Sequence, residues 1–215
     1  MDVAIIGAGS MARGIGTRVL AGGHSLDVVH ADKDKGGALA AQLTAAAGAA
    51  ATVRTATLGQ PLTAEVVVLA VPYEAVSSVV QTYDQDLQGR VVVDISNPVD
   101  WETLDRLVTP PDTSAAEQTA ALVPDGTHVL KAFNTTFAQT LVDGMVAGHA
   151  LDVFIAGDDE GAKRQIADLV TAGGLRSVDV GELRRARELE TMQLLHIHLQ
   201  RSLGTGYGST LKLLP

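Results

Sequence analysis

Short runs of β-branched and other aliphatic residues alternate along the chain with longer alanine-rich stretches of mixed polarity. That alternation predicts parallel strands joined by crossover helices. Strands are expected at Val3 to Ile6, Leu26 to Ala31, Glu65 to Val71, Arg90 to Ile95, Thr127 to Ala132, Leu151 to Ala156 and Leu175 to Val180, with a further short strand near Ala51 to Thr55. Helices are expected to start near Ser10, Lys33, Tyr73, Ser114, Thr136, Asp159 and Glu182, several of them behind a serine, threonine or aspartate able to accept from a first helical turn. The last helix carries a stripe of Leu183, Ala186, Leu189, Met192, Leu195 and Leu199, widened by Leu194 and Ile197, and so needs to bury a broad face. Between Asn97 and Thr113 the periodicity lapses, and Pro98, Pro110, Pro111 and the single Trp101 mark a long surface loop.

Composition narrows the function classes. Hydrophobic residues make up 46% of the 215 positions and charged residues 19%, enough to build an ordinary core. Sixteen lysines and arginines against 25 aspartates and glutamates leave a net charge of -9, which repels a phosphate backbone or an anionic bilayer, so neither nucleic acid nor membrane is expected as a partner. Without cysteine there is no thiolate catalysis, disulfide or cysteine-ligated zinc. The apolar run Val66 to Val71 is too short to span a bilayer, and Met1-Asp2 opens on no basic region or cleavage site; the expected location is the cytoplasm.

Gly7-Ala8-Gly9-Ser10-Met11-Ala12 fits G-x-G-x-x-A between an apolar strand and a helical stretch, the context in which that fingerprint binds a dinucleotide. Gly7 permits the tight turn, Gly9 lets the pyrophosphate approach the backbone, and Ala12 lets the helix pack on the strand. Backbone N–H groups around Ser10 and Met11 then face the phosphates, and the helix terminus adds about 0.3–1 kcal/mol per anion contact. A turn that uses glycine for steric reasons alone is the competing reading. Gly14 and Gly16, inside the helix, read as packing positions. The fingerprint makes residues 1–150 a Rossmann dinucleotide-binding domain: an α/β fold with a mostly parallel sheet flanked by helices. Residues 151–215 are then a small C-terminal α/β extension that completes the cleft and supplies the expected dimer interface.

The expected cofactor is NADP(H) or NAD(H). Asp32, just past the second strand, stands where an NAD-binding unit bonds the adenosine ribose. A 2′-phosphate about 5 Å from Asp32 would lose roughly tenfold or more in affinity, yet Lys33, Lys35 and His30 lie close enough in sequence to offset this. Asp32 is equally readable as an exposed helix cap. Two more strand ends should line the crevice. Val71, Pro72 and Tyr73 offer an apolar wall, and Ser96, Asn97 and Pro98 offer hydroxyl and amide groups for the nicotinamide ribose or carboxamide, although turn chemistry alone explains Asn-Pro. Ala132, Phe133 and Asn134 emerge beside the same crevice, with Asn134 and Thr135 read either as positioning groups or as a turn and cap; Lys131 reads as structural. His196 and His198 are two apart on a helix and point to different faces, and no metal site is expected. The remaining histidines have no catalytic reading.

Together these segments resemble the NADP oxidoreductases dependent on the deazaflavin coenzyme F420. The resemblance runs over essentially the whole chain. It is carried by Val3 to Ala12, Ala70-Val71-Pro72, Val93 to Pro98, Ser114 to Glu117, Lys131 to Thr135, Ala156 to Asp159, Asp179 to Leu183, and the tail Gly204 to Gly208 with Lys212-Leu213. It implies direct hydride transfer between stacked nicotinamide and deazaflavin rings, no obligatory acid or base, coenzyme F420 as second substrate, and a homodimer. Phe133 to Thr135 and the tail around Gly206 would frame the second ring. One departure is Ala31-Asp32, where NADP-preferring members carry Ser-Arg or a similar pair. Lys131 to Thr135 also resembles the reductase domain of the STEAP metalloreductases, which pass hydride to a flavin. The opening is similar as well to pyrroline-5-carboxylate reductases and β-hydroxyacid dehydrogenases. A flavin or imine reductase and a non-catalytic dinucleotide-binding protein are therefore the alternatives.

Overall fold

The computed structural model describes residues 1–48 and 51–214. The chain runs β1 (Asp2–Ile6), α1 (Ser10–Ala21), β2 (Ser25–His30), α2 (Lys33–Ala47), β3 (Val53–Thr57), β4 (Val66–Leu69), α3 (Tyr73–Tyr83) and β5 (Val91–Asp94). It continues through α4 (Ala115–Ala120), β6 (His128–Lys131), α5 (Ala138–Asp143), the short ribbon β7 (Met145–Val146) and β8 (His149–Ala150), β9 (Asp152–Gly157), α6 (Glu160–Ala172), β10 (Arg176–Gly181) and α7 (Ala186–Leu203). The helix expected near Glu182 begins as a 3-10 turn over Leu183–Arg185.

Eight strands form one sheet in the order β10-β9-β6-β5-β4-β1-β2-β3. From β3 to β6 every pairing is parallel, the doubly wound Rossmann order, and the strand order reverses between β1 and β4. Parallel neighbours need crossovers, and the helices provide them on both faces, which is why β4 and β5 are buried at every position. Alternate residues split between two cores. Val3, Ile5, Val28, Val68 and Val93 pack with α1, α2 and α6, whereas Ala4, Ile6, Val67, Leu69 and Val92 pack with α3. The chain beyond residue 150 continues the same sheet: β9 pairs antiparallel with β6 through Leu130↔Gly157 and Lys131↔Ala156, and β10 lies parallel to β9 across α6.

Several helix starts follow directly from side-chain caps. Ser114 Oγ accepts from the Glu117 N–H and Asp159 Oδ1 from the Ala162 N–H, as their residue types predict. Gly14 and Gly16 are packing positions. A Cβ on Gly14 would stand 2.8 Å from the Ala138 carbonyl oxygen, and one on Gly16 would stand 2.9 Å from a Leu43 methyl.

Candidate functional site

Gly7 closes β1 with φ +130°, and a Cβ there would lie 2.2 Å from the Ala70 carbonyl oxygen, so the turn admits no side chain. Gly9 is different. Its φ of -85° suits any residue, and a Cβ would meet no protein atom within 4 Å. Nothing in the protein's own packing asks for glycine at that position, and the space its missing side chain leaves faces the start of α1. That is the cradle a pyrophosphate needs, so the residues present fit a dinucleotide.

The turn opens onto a cleft of about 720 Å³ at the carboxyl ends of the central strands. One wall is made by Gly9, Ser10 and Met11 after β1, by Ala70 to Tyr73 after β4, and by Ile95, Ser96 and Asn97 after β5. Facing it are Thr136, Phe137, Ala138 and Gln139 before and in α5, Gln193 and Ile197 of α7, Gly206 and Tyr207 of the tail, and Trp101 of the long loop. The described residues that line the cleft include no carboxylate, histidine or lysine; Arg13, Tyr73 and Tyr207 carry its ionisable groups. Tyr73 directs its hydroxyl to Gln118 Oε1 at 2.8 Å, and Arg13 donates to Gln139 Oε1 at 2.9 Å.

The other residues singled out in the sequence are placed as follows. Ala12, in the first turn of α1, is fully buried, and Gly7 and Pro98 are buried as well. Asp32 caps α2, Oδ1 accepting from the Asp34 and Lys35 N–H groups, and Lys33 beside it is exposed at a small depression against β3. Ala132 and Phe133 are core residues. Phe133 takes a left-handed φ of +62° that turns the chain inward after β6, so its ring frames no ligand; the aromatic wall belongs to Phe137, one turn further on. Asn134 and Thr135 are likewise buried and do not line the cleft. Asn134 nevertheless reaches it through a partner: its Nδ2 donates to Asn97 Oδ1 at 3.1 Å, and Asn97 Nδ2 donates to the Asn134 carbonyl at 3.0 Å. Among the described residues, Asn134 Oδ1 and Thr135 Oγ1 have no hydrogen-bond partner.

Beneath the cleft lies a cluster of buried charge. Lys131 Nζ stands 3.1 Å from Asp94 Oδ1 and 2.8 Å from Glu190 Oε1, and donates to the Ser96 carbonyl at 2.6 Å. Asp94 also accepts from the Ser96 and Thr119 hydroxyls, and both Glu190 oxygens accept from the Ala115 N–H. Burial alone would neutralise these groups. For Asp94 the Lys131 cation and the hydroxyl hydrogen bonds outweigh it and hold the carboxyl below the ordinary range. Burial likewise works against the Lys131 cation, but Asp94 and Glu190 outweigh it and the ammonium is held above its ordinary range. In Glu190 burial wins, and its carboxyl is raised.

The far wall is backed by a second network. His196 is buried, its ring 4.5 Å from that of Phe137, with Nε2 2.8 Å from Ser209 Oγ and Nδ1 3.2 Å from Gln193 Oε1. Burial depresses its pKa. Tyr207 meets the other side of Phe137 edge-on at 5.1 Å. Sequence reading gave no role to His196, Gln193 or Phe137. The available signal was the spacing of Glu190, Gln193, His196 and Gln200, three to four residues apart, which puts a polar row on one face of α7.

The sequence profile of the family described as NADP oxidoreductase, coenzyme F420-dependent, matches residues 2–98, the stretch from β1 through the loop after β5. The chain belongs to this family. Among proteins similar to it, the F420-dependent NADP reductase of Methanocaldococcus jannaschii is 33% identical over 149 residues, 66% of this chain and 66% of that one. Metalloreductase STEAP3 of Rattus norvegicus is 34% identical over 192 residues, 89% of this chain and 36% of that protein. A solved structure from Arthrobacter sp. FB24, provisionally assigned as an F420-dependent NADP reductase, covers 99% of both chains at 26% identity and a TM-score of 0.82. The alignments to those two curated relatives thus span about one third and about two thirds of their length.

Proposed function

We propose that the protein is an oxidoreductase that moves hydride between a nicotinamide dinucleotide, NADP(H) or NAD(H), and coenzyme F420. The observation that carries this reading is the cleft itself: a dinucleotide turn on one side, a largely apolar wall on the other, and, among the described residues, no carboxylate, histidine or lysine in its lining. Hydride transfer between two bound ring systems requires alignment and dryness, not a proton donor. The reading gains support from family membership and from the names of the curated relatives.

In this reading Gly7 to Ala12 hold the pyrophosphate through backbone N–H groups. Val71, Pro72 and Tyr73 form an apolar wall, and Asn97 presents its amide to the nicotinamide end, while the Ser96 hydroxyl beside it is turned onto Asp94. Asn134 is a positioning residue that acts by fixing the Asn97 amide. Phe137, Ile197 and Tyr207 exclude water from the opposite side.

The protein is further proposed to act as a cytoplasmic homodimer. Leu195, Leu199 and Leu203 recur at helical spacing along α7 and are 58%, 36% and 57% exposed, a stripe that a second copy would cover.

The test is anaerobic mixing of the purified protein with NADH or NADPH and with either F420 or FAD, following the visible absorbance of each acceptor. Rapid bleaching of F420 is expected. Protein that binds dinucleotide but reduces free FAD or an imine while leaving F420 untouched would overturn the reading.

A further inference from the structure

Asp32 lies two residues past the end of β2, and its geometry is fixed on every side. Oδ1 accepts from the N–H groups of Asp34 at 3.0 Å and Lys35 at 3.2 Å. The Asp32 N–H donates to His30 Nδ1 at 3.0 Å, and its carbonyl accepts from the Gly36 N–H at 3.1 Å. Hydrogen bonds from the Lys35 and Asp34 N–H groups hold the carboxyl below its ordinary range, so it is ionised at neutral pH. The carboxylate therefore already occupies the donors and the positive dipole end of α2. Just along α2, Lys35, Ala38, Leu39 and Gln42 line a hollow shared with Gly9 and Arg13, so this strand end and the pyrophosphate turn bound one continuous surface.

In a doubly wound sheet the adenosine ribose lies at this strand end. A ribose diol has hydroxyl donors to offer a carboxylate, and Asp32 Oδ2 accepts no hydrogen bond among the described residues. A 2′-phosphate has none to spare. It needs donors and positive charge, and here it would find the α2 donors taken and an anion in their place. Lys33 and Lys35 are exposed and enter no ion pair with Asp32, so solvent and salt weaken what they can offer in return. Arg13 directs one guanidinium N–H to Gln139.

We propose that Asp32 is a specificity-determining residue that rejects a 2′-phosphate, so that this chain takes NAD(H) in preference to NADP(H). The proposal rests on the reading that a dinucleotide occupies the cleft. It sets this chain apart from relatives whose names specify NADP.

The test is direct titration of the purified protein with NADH and with NADPH, followed by nicotinamide fluorescence and needing no acceptor. The wild type is expected to bind NADH at least tenfold more tightly. Asp32→Ser keeps a capping oxygen while removing the charge, and should move the ratio of the two dissociation constants tenfold or more toward NADPH, with thermal melts showing an intact fold. Tighter binding of NADPH by the wild type, or a ratio that Asp32→Ser leaves unchanged, overturns the proposal alone. Failure of both dinucleotides to bind overturns the dinucleotide reading and the proposal with it.

Discussion

Lys131 and Glu190 meet at 2.8 Å with both side chains sealed from solvent, and this contact joins the end of β6 to the N-terminal part of α7. Because Asp94 shares the same ammonium, three separate elements are held together where the cleft begins. A buried ion of this kind adds little net stability over apolar packing, but removing one partner leaves uncompensated charge and costs about 3–5 kcal/mol. Lys131→Met is therefore expected to destabilise the fold by an amount in that range, since two carboxylates lose their common cation. Urea denaturation of the variant measures it. Recovery in a Lys131→Met, Asp94→Asn, Glu190→Gln triple variant is the expected sign that charge, not volume, is responsible.

Gly7 and Gly9 separate folding from binding within one motif. At Gly7 a Cβ would collide with the Ala70 carbonyl at a left-handed φ, so Gly7→Ala should lower the melting temperature. At Gly9 nothing in the protein obstructs a side chain, so Gly9→Val should fold normally and lose dinucleotide affinity. Calorimetric titration beside thermal melts distinguishes the two. Undiminished affinity in a folded Gly9→Val protein would remove this turn as the pyrophosphate site.

Acid should loosen the tail through Asp152. Burial acts to raise its carboxyl, but Arg176, Lys212 and the Leu213 N–H bind it and bring it down to about 2 from an ordinary 3.8. A carboxyl depressed in the folded state contributes stability that is fully present above the unfolded pKa and is lost as pH falls through the folded one. Asp152 should therefore contribute fully above pH 4 and progressively less between pH 4 and 2. Asp152→Asn is expected to lower stability at pH 7 and to flatten this part of the acid slope, as read from urea midpoints at a series of pH values.

Most of the sheet was legible because its strands are buried on both faces and read as apolar runs between turns. Val66 to Leu69 and Val91 to Val93 are examples. The ribbon at Met145–Val146 and His149–Ala150 was not, since two-residue strands carry no periodicity. Among the candidate site residues, those fixed by local backbone geometry, from Gly7 to Met11, could be read from a motif. Phe133 and Phe137 could not be told apart. Which aromatic faces the cleft depends on the left-handed residue at position 133, a conformation that phenylalanine seldom adopts and sequence does not announce. The ion cluster left a fainter trace: Lys131 and Asp94 each interrupt an otherwise apolar run and so require partners, whereas Glu190 stands among polar neighbours and gave no such sign.

His196 should matter to the second substrate more than to the first. It stacks on Phe137 and bonds Ser209, so it sets both the aromatic wall and the path of the tail that carries Gly206 and Tyr207 to the cleft. The dinucleotide turn, Gly9 to Met11, lines another part of the cleft. The prediction rests on those two contacts. His196→Ala removes both the stacking ring and the hydrogen bond to the tail. In the F420 assay it is expected to raise the KM for the deazaflavin several-fold, leaving the dinucleotide dissociation constant within about twofold, because a changed wall alters alignment of one ring and not anchoring of the other. His196→Gln, able to reach Ser209 without stacking, should recover part of the loss. Equal weakening of both substrates in a destabilised protein would mean that His196 serves the fold alone.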